Sequence, residues 1–502
     1  MHSERVPVHA DAKSDATALL ESGPRSLMPS RYKGLRTLEM LDQLSLTDRM
    51  VLVPKNSPSA KNRFLYHNGR LNRLPSSPFS ALFAMMRLPL VRATLPGLFR
   101  EPLVERRTTS EDESVHDFLS RRAGKPMAEN MASAMIHGIY AGDTRELSIQ
   151  SVMPNLVDME QTHGSLLRAA MPFGKKLNSR YRAGLRNRWA EEKEKAARVS
   201  QRLPPALLDM VKSTSIYSFP NGLGEIIAAL QDHLIAAPHV ELRMDAACEK
   251  IEASPDGVEL HLANEKAPLF ADRLLAALPS AKLAPLLPEI PHLGYNPSAT
   301  MSVVDVVLAP PDASSMQYEL PIRGFGFLVP RSASNNQDEI LGVVLDSDAM
   351  PNQGTPGADG RPPFIKLTVM LGGPYWRGKQ REELPSVDEI EQRALRTLEN
   401  MLGVPSSVLQ THLRLLRGRV LENTIPQYLV GHPARMQEVH DVLVHDPRWR
   451  DRLTLLGFSY AGVGVNDCVT NTLDACDAIV THEQGDASEQ TASQSTGLCA
   501  AL

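Results

Sequence analysis

The spacing of apolar and polar positions divides the chain into a helical region and a β-rich region. From residue 75 to about residue 201 apolar side chains recur with a helical period, which predicts a series of helices. Shorter helical patterns cover residues 34–42 and 225–234. Beyond residue 240, short alternating or apolar runs predict strands at 240–243, 248–251, 258–262, 274–279, 301–308, 340–345 and 365–370.

Two segments lack a pattern that could support a core. Residues 348–363 are dense in proline, glycine and asparagine, which predicts a surface loop. Residues 484–502 are dominated by glutamine, serine, threonine and alanine and have little to bury, so they predict a disordered tail.

The segment from Phe79 to Phe99 mixes large apolar side chains with arginines such as Arg87 and Arg92. An amphipathic helix of this kind suits either a membrane surface or a protein core. The pattern alone favours the core or partner-facing helix, because such helices outnumber interfacial ones in soluble folds.

Composition narrows the function classes. The chain has 502 residues, of which 42% are hydrophobic and 22% charged, which is enough to build two to three globular domains. A net charge of −4 argues against nucleic acid as a partner. No apolar window is long enough to span a membrane, and Glu4, Asp11 and Asp15 are atypical of a targeting peptide, so a soluble or peripheral protein is predicted.

Cysteine and histidine spacing indicates no metal site or disulfide framework. The four cysteines, Cys248, Cys468, Cys476 and Cys499, are widely separated and are predicted to be reduced structural thiols. No nucleophile elbow occurs either.

Glycine-rich turns are the remaining candidates for chemistry. A complete GxGxxG dinucleotide motif is absent, and only partial forms occur, such as Gly222-Leu-Gly224 and Gly324-Phe-Gly326. The turn from Gly457 to Asp467 follows an apolar run at 453–456 and precedes a helical pattern at 468–480. Its glycines would let a cofactor approach the backbone, and the helix N-terminus would stabilise negative charge. An ordinary tight turn is the alternative.

Nine motifs resemble signatures of the protoporphyrinogen oxidase family, and they occur along this chain in the same order as in the family. The similarity extends from about residue 21 to residue 480. The motifs are Glu21-Ser-Gly-Pro-Arg-Ser26, Lys61-Asn-Arg-Phe-Leu-Tyr66, His137-Gly-Ile-Tyr-Ala-Gly-Asp143, Arg145-Glu-Leu-Ser-Ile149, Glu160-Gln-Thr-His163, Arg323-Gly-Phe-Gly-Phe-Leu-Val-Pro330, Thr368-Val-Met-Leu-Gly-Gly373, Ile425-Pro-Gln-Tyr428 and Gly462-Val-Gly-Val-Asn-Asp-Cys468.

The resemblance implies a mixed α/β fold of the flavin amine oxidase type. An FAD-binding domain would be assembled from residues 1–50, 218–285 and 447–482, and a mixed-sheet substrate domain from 51–75 and 286–446. Residues 76–217 would form a helical domain that associates with a membrane, and residues 483–502 would form the disordered tail.

The implied activity is the oxygen-dependent oxidation of protoporphyrinogen IX to protoporphyrin IX in haem biosynthesis, by hydride transfer to FAD with release of hydrogen peroxide. The implied location is the mitochondrial inner membrane, where the chain would be a peripheral protein. The resemblance leaves open whether the chain forms a homodimer. The alternatives are a non-catalytic porphyrin-binding paralogue and a related flavin amine oxidase.

The resemblance also assigns residues to the two ligands. FAD would contact Gly23, Pro24, Arg25, Ser26, Ala247, Phe458, Val463, Gly464 and Val465, where Phe458 replaces an expected small residue. Arg63 would pair with a propionate of the substrate, and the carbonyl of Gly138 would face the inner N–H groups of the macrocycle. The substrate ring would lie among Phe325, Leu328, Val344 and Met370. The flavin itself would carry the chemistry, so no catalytic side chain and no metal is predicted.

The start of the chain departs from the family pattern. Ser3-Glu-Arg-Val6 resembles only the end of the segment that follows the family's first strand, GxGxxG loop and helix. Roughly thirty residues of a βαβ unit are therefore expected to be missing, which predicts weak FAD binding. A misplaced start codon or a missed exon is the favoured explanation, and a truncated paralogue is the alternative.

Overall fold

The computed structural model describes residues 2–8, 16–75, 89–107, 111–170, 188–311, 318–351, 353, 363–484 and 495–501. Helices and strands are both abundant, as a mixed α/β fold requires. The helices span Arg31–Gln43, Pro58–Lys61, Pro89–Arg100, Val115–Ala123, Ser133–Tyr140, Ile149–Val152, Pro154–His163, Leu166–Ala170, Arg188–Ser200, Pro205–Ser213, Gly224–Ala236, Ser280–Leu283, Asp346–Ala349, Val387–Thr397, Ser406–His412, His432–His445 and Val465–Glu483.

A seven-stranded mixed sheet forms the largest layer. Its strands are β4 (Arg63–His67), β5 (Arg70–Arg73), β11 (Ser298–Leu308), β12 (Gly326–Leu328), β13 (Ile340–Val344), β14 (Ile365–Gly372) and β15 (Leu413–Pro426). They lie in the order β15-β11-β14-β13-β12-β4-β5, and the only parallel pairing within this sheet joins β12 to β4. The strands predicted at 301–308, 340–345 and 365–370 are confirmed.

The two faces of this sheet differ in chemistry. On one face Val304, Phe327, Val343 and Val369 pack with the helix Val387–Thr397 in the main hydrophobic core. Because side chains alternate along each strand, the opposite face receives the intervening positions. That face carries Leu328, Val344 and Met370 together with polar residues described below.

Smaller sheets surround the mixed sheet. They pair β1 (Ser3–Pro7) with β2 (Thr17–Glu21), β3 (Val51–Pro54) with β6 (Thr214–Ser218), β7 (Cys248–Ala253) with β8 (Val258–Leu262) and β9 (Leu269–Ala271), and β10 (Leu274–Ala276) with β16 (Leu453–Leu455). The strands predicted at 248–251, 258–262 and 274–279 are confirmed, although the last is shorter than predicted. The β10–β16 pair is parallel.

The strand predicted at residues 240–243 is wrong. This stretch has an irregular backbone, and Val240, Leu242 and Met244 are exposed. An alternating pattern becomes a strand only when a neighbouring strand accepts its backbone hydrogen bonds, and no described strand lies beside it.

The end of the chain also differs from its prediction. Residues 485–494 of the predicted tail lie outside the described residues, but residues 495–501 are packed and not disordered. Leu498 is fully buried in a core cluster with Leu453 and Leu455, and the carbonyl of Thr496 accepts a 3.0 Å hydrogen bond from the backbone N–H of Leu455. This last segment therefore lies beside β16 and shares its hydrophobic core.

The helical region between residues 89 and 170 is held by a buried ion pair. Arg122 and Glu101 have side chains that are 0% and 1% exposed, and the arginine also donates to the carbonyls of Val104 and Gly164. Ser165 and the backbone N–H of Leu166 donate to the same glutamate. The predicted amphipathic helix lies partly outside the described residues, and its described part is Pro89–Arg100, with Phe99 77% exposed.

Within the described ranges no helix is long and apolar enough to cross a membrane. The same residues contain no group of three or more His, Cys, Asp or Glu side chains that could hold a metal ion. None of the four cysteines forms a disulfide with a described residue. The loop predicted at 348–363 falls largely on residues outside the described set, and its first residues belong to the helix Asp346–Ala349.

Candidate active site

Two motifs of the predicted site are joined by a buried histidine. His137 lies on the helix Ser133–Tyr140, and its Nδ1 atom is 2.8 Å from the carbonyl oxygen of Val329. Burial lowers the pKa of His137 to about 4, so the ring is neutral at neutral pH and Nδ1–H donates to the carbonyl. This bond fixes the helix that carries Gly138 beside strand β12.

Gly138 and Leu328, both predicted to contact substrate, touch each other. A Cβ atom added to Gly138 would lie 2.7 Å from a terminal methyl carbon of Leu328. On the other side, Leu328 pairs with Gly342, where an added Cβ would lie 2.9 Å from the same methyl carbon. Two glycines therefore make room for one leucine side chain.

Three of the predicted ring-contacting residues share one face of the mixed sheet. Leu328 pairs with Gly342, which pairs in turn with Met370, and Val344 lies two residues beyond Gly342 on β13. Val344 is 8% exposed, whereas Leu328 and Met370 are half-buried. The three side chains therefore lie on the same face of the sheet, and we call them the apolar row.

The predicted propionate-binding residue lies at the start of β4. Arg63 is exposed, pairs with Gly326 of β12, and places its guanidinium carbon 6.0 Å from the centre of the Phe325 ring. It forms no ion pair with any residue that the structure describes. Arg63 and Phe325 therefore lie at one end of the apolar row, with the guanidinium open to a ligand.

A tyrosine side chain forms hydrogen bonds to two backbone groups of the turn from Gly457 to Asp467. The Tyr428 hydroxyl donates to the carbonyl of Phe458 and accepts a 2.9 Å hydrogen bond from the backbone N–H of Gly462. The Tyr428 ring stacks on His432 with 4.6 Å between ring centroids, and Nε2–H of His432 donates to the carbonyl of Tyr460 at 2.8 Å. Two buried side chains thus fix the shape of the turn.

The helix after this turn begins within one of the predicted flavin segments, residues 463–465. Gly464 is the N-cap of Val465–Glu483, and its N–H donates to Asp467 at 3.0 Å. Gly462 has a φ of +104°, a conformation that favours glycine. The side-chain amide of Asn466 donates to the carbonyl of Met28 at 2.9 Å, so the start of this helix is bonded to the chain just after the segment 23–26.

Arg25 links the predicted cofactor segment to the substrate sheet. Its Nε atom is 3.0 Å from Oδ1 of Asp346, a carboxylate two residues after Val344. Both side chains are largely buried, at 15% and 10% exposed. Gly23, two residues earlier, has no atom within 4 Å of the position that a Cβ would occupy, so the backbone there faces open space.

Two predicted cofactor residues show different surroundings. Phe458 is half-buried and belongs to the glycine turn through its carbonyl. Ala247 is exposed and lies just before β7, and its carbonyl accepts a 2.7 Å hydrogen bond from Ala263 of the neighbouring ribbon. The structure does not join Ala247 to the other site segments through a described contact.

Sequence reasoning missed the polar residues that support these segments, among them Tyr428, His137, Asp305 and Asp346. For Asp305 and Asp346 the sequence did contain a signal. Asp305 interrupts the apolar run Val303–Val307, and Asp346 ends the run Ile340–Leu345. A charged residue inside a buried strand requires a partner, but the partner becomes visible only with the register.

A separate cavity of about 390 Å³ lies beside the site. It is lined by backbone and charged side chains that include Asp143, Glu146, Arg377 and Lys379. None of the predicted substrate or cofactor residues lines it, and many of its charges are already paired, as in Arg377 with Glu146. We therefore do not assign the substrate to this cavity.

Comparison with known proteins identifies the family. Residues 5–480 match the model of the flavin-containing amine oxidoreductases. The chain belongs to this family. Protoporphyrinogen oxidase of Schizosaccharomyces pombe is 31% identical over 480 residues, which cover 94% of this chain and 89% of the relative. The human protoporphyrinogen oxidase is 32% identical over 484 residues, covering 92% and 88%.

Solved structures agree on the fold of this flavin-containing oxidoreductase. A protein from an Exiguobacterium species with a provisional protoporphyrinogen oxidase assignment gives a TM-score of 0.63 at 21% identity, covering 95% of this chain and 90% of that one. Cyclohexylamine oxidase from Brevibacterium oxydans gives 0.56 at 12% identity, covering 94% and 90%. The predicted flavin amine oxidase-like fold and the predicted FAD cofactor are confirmed, and the chain is an FAD-dependent oxidoreductase.

The described residues match the ring end of FAD better than its diphosphate end. A glycine turn at a helix N-terminus, an open glycine backbone at Gly23 and the buried cation Arg25 suit an isoalloxazine ring that gains negative charge on reduction. A glycine-rich loop between a parallel strand and a helix, which would receive a diphosphate, is not found among the described residues.

Proposed function

We propose that this chain oxidises protoporphyrinogen IX to protoporphyrin IX, with FAD as the electron acceptor and oxygen as the final oxidant. The observation that carries this proposal is the similarity to protoporphyrinogen oxidases at 31–32% identity over more than nine tenths of the chain. FAD, when bound, would accept two electrons as a hydride from a methylene bridge, and one molecule of oxygen would take these electrons and two protons to become hydrogen peroxide. Three such rounds on the same substrate, each with its own molecule of oxygen, would remove the six electrons and six protons that separate protoporphyrinogen from protoporphyrin.

The chain's own residues bind and orient the substrate. The apolar row of Leu328, Val344 and Met370 offers a flat surface of the kind that a macrocycle covers. Arg63 at the end of that row offers a planar, permanently charged donor to a propionate. The helix held by His137 presents the backbone of Gly138 to the centre of the ring.

In this proposal the enzyme works as a peripheral protein of the mitochondrial inner membrane. The helix Pro89–Arg100 and the 3-10 helix Glu101–Leu103 after it support a membrane contact, because Phe99 and Leu103 expose 77% and 80% of their surfaces. Apolar side chains beside arginine are typical of helices that lie in a membrane interface.

The test is a steady-state assay of the purified, FAD-supplemented chain, following protoporphyrin fluorescence and peroxide together. Arg63→Ala should raise KM with a smaller change in kcat, and Arg63→Lys should give an intermediate KM. Arg70→Ala, on the next strand, is the matched control and should leave both constants unchanged. An unchanged KM in Arg63→Ala would remove the propionate role.

Two other outcomes would replace the proposal. Protoporphyrin binding without flavin absorbance in the purified protein would favour a non-catalytic porphyrin-binding protein. Turnover of amines without turnover of protoporphyrinogen would favour a flavin amine oxidase of the same family.

A further inference from the structure

A single hydroxyl lies between two buried carboxylates on the face of the sheet that carries the apolar row. Oγ1 of Thr368 is 2.9 Å from Oδ1 of Asp305 and 2.7 Å from Oδ2 of Asp346. Thr368 and Asp305 are both 0% exposed, and Asp346 is 8% exposed. Thr368 pairs with Val344 across the sheet, so this cluster is continuous with the predicted substrate surface.

A hydroxyl has one proton and can satisfy only one of two ionised carboxylates. If both acids were charged, one carboxylate oxygen would face the lone pairs of Oγ1 at hydrogen-bond distance. The contacts are complete only when one acid is protonated. That acid then donates to Thr368, and Thr368 donates to the other acid.

The surrounding charges decide which acid holds the proton. Asp346 has its other oxygen 3.0 Å from Nε of Arg25, a direct ion pair. Oδ2 of Asp305 accepts no hydrogen bond from any described residue and lies 3.7 Å from Nη1 of Arg419, while Oδ1 lies 3.7 Å from Nζ of Lys366. A negative charge is therefore better stabilised on Asp346 than on Asp305.

The neighbouring cations have other partners. Arg419 donates to Ser22 and Glu4, and Arg417 also donates to Glu4. Lys366 is 3.7 Å from each of the two aspartates. Burial raises the pKa of Asp305, whereas Lys366 and Arg25 act in the opposite direction. Glu21, on β2, also lies within the field of Arg25 and Lys366.

We propose that Asp305 is a protonated acid in the folded protein and that Asp305 and Thr368 are positioning residues for Arg25. The hydrogen bonds run from Asp305 to Thr368 to Asp346, and Asp346 holds the guanidinium of Arg25 beside the segment that would contact FAD. With Asp305 neutral, Asp346 is the carboxylate that pairs with Arg25, and Glu21 is a further acid in the field of Arg25 and Lys366. The positioning role rests on the proposed function, and the protonation does not.

The protonation is tested without cofactor by infrared difference spectroscopy at neutral pH. The spectrum of the wild-type protein minus that of Asp305→Asn should contain the carbonyl band of a protonated carboxylic acid, and the band should shift in deuterium oxide. Absence of that band would overturn the proposal. Asp346→Asn is the matched control, and its difference spectrum should show loss of an ionised carboxylate.

Stability gives a second test, because asparagine imitates a neutral aspartic acid. Asp305→Asn should unfold at a urea concentration close to that of the wild type below the unfolded-state pKa of aspartate and at a higher one at neutral pH, whereas Asp346→Asn should unfold at a clearly lower one at neutral pH. Between the unfolded-state pKa of aspartate, about 3.9, and the raised folded pKa, the unfolded chain binds fewer protons, so wild-type stability falls as pH rises. Asp305→Asn should lack that fall. Equal losses in both variants would overturn the proposal.

The positioning role is tested by FAD titration. Thr368→Val keeps the shape of the side chain but removes the hydroxyl, and it should weaken FAD binding about tenfold, the equivalent of one lost charge-assisted hydrogen bond. Thr368→Ser should restore it. Normal FAD affinity in Thr368→Val beside a clear acid band would overturn the positioning role only, whereas failure of the wild type to bind FAD would count against the proposed function.

Discussion

The backbone N–H of Gly462 donates a 2.9 Å hydrogen bond to the hydroxyl of Tyr428, which itself donates to the carbonyl of Phe458. One buried side chain therefore satisfies both ends of the glycine turn that precedes the helix Val465–Glu483. The shape of this turn depends on a residue from a separate motif of the sequence.

Tyr428→Phe should lower the free energy of unfolding by about 0.5–1.5 kcal/mol, because it removes the hydrogen bonds of a half-buried N–H and a half-buried carbonyl. Urea unfolding measures the loss, and hydrogen exchange at Gly462 should accelerate. Tyr295→Phe is the control, since Tyr295 is 52% exposed and packs its ring on Arg435. A similar loss in both variants would contradict a specific role for the Tyr428 hydroxyl.

Gly138→Ala should change the free energy of unfolding by less than about 1 kcal/mol, because the added Cβ meets the movable end of the Leu328 side chain at 2.7 Å while alanine is favoured over glycine inside a helix. In the Leu328→Ala background the same glycine substitution should be more favourable, since the shorter side chain removes the clash. Thermal unfolding of the four proteins gives the coupling energy. Simple addition of the two single effects would show that the two residues do not compete for the same space.

The neutrality of His137 predicts a loss of stability in acid. Its folded pKa of about 4 lies below the ordinary value of 6.5, so the unfolded state binds more protons between those values. Stability should therefore fall as pH drops from about 6.5 towards 4, by about 3 kcal/mol from this residue. Urea unfolding of His137→Gln as a function of pH should show a shallower fall, and His239→Gln, at an exposed position, should follow the wild type.

Removal of Arg122, the buried cation of the helical region, should strongly lower the stability of the protein. Arg122→Met leaves the carboxylate of Glu101 buried without its partner and should cost about 3–5 kcal/mol. The double variant Arg122→Met/Glu101→Leu should regain much of the loss. Arg198→Met tests an exposed ion pair and should change stability by less than about 0.5 kcal/mol.

The sequence predicted the central strands and the helix Arg31–Gln43 well because their apolar patterns are local and their faces are buried. It failed at residues 240–243 and 495–501, where the outcome depends on a partner far along the chain. Val240 and Leu242 lie in a stretch with the alternating pattern of a strand, but no described strand lies beside them. Thr496 lies in a stretch with the composition of a disordered tail, but its carbonyl accepts a hydrogen bond from Leu455. Local composition contains no information on either partner.

The candidate site was predictable to the extent that its residues carry a family pattern. Arg63, Phe325, Leu328, Val344 and Met370 lie on neighbouring strands, and their roles towards a substrate stay predictions. The shared hydroxyl of Thr368 could not be predicted, because it requires the register in which Asp305 of β11 lies opposite Thr368 of β14. Only the folded sheet brings the two acids to one oxygen.

The parallel pairing of β4 with β12 also has a consequence for protein synthesis. Arg63 lies opposite Gly326, a separation of 326 − 63 = 263 residues. Until the ribosome has released more than half of the chain, β4 and β5 can exist only as an isolated two-stranded hairpin, which is marginal in water. The arginine at the end of the apolar row is thus among the first site residues to be made, but its neighbours form late. Substitutions in this hairpin should therefore act on folding yield in the cell as well as on the finished site.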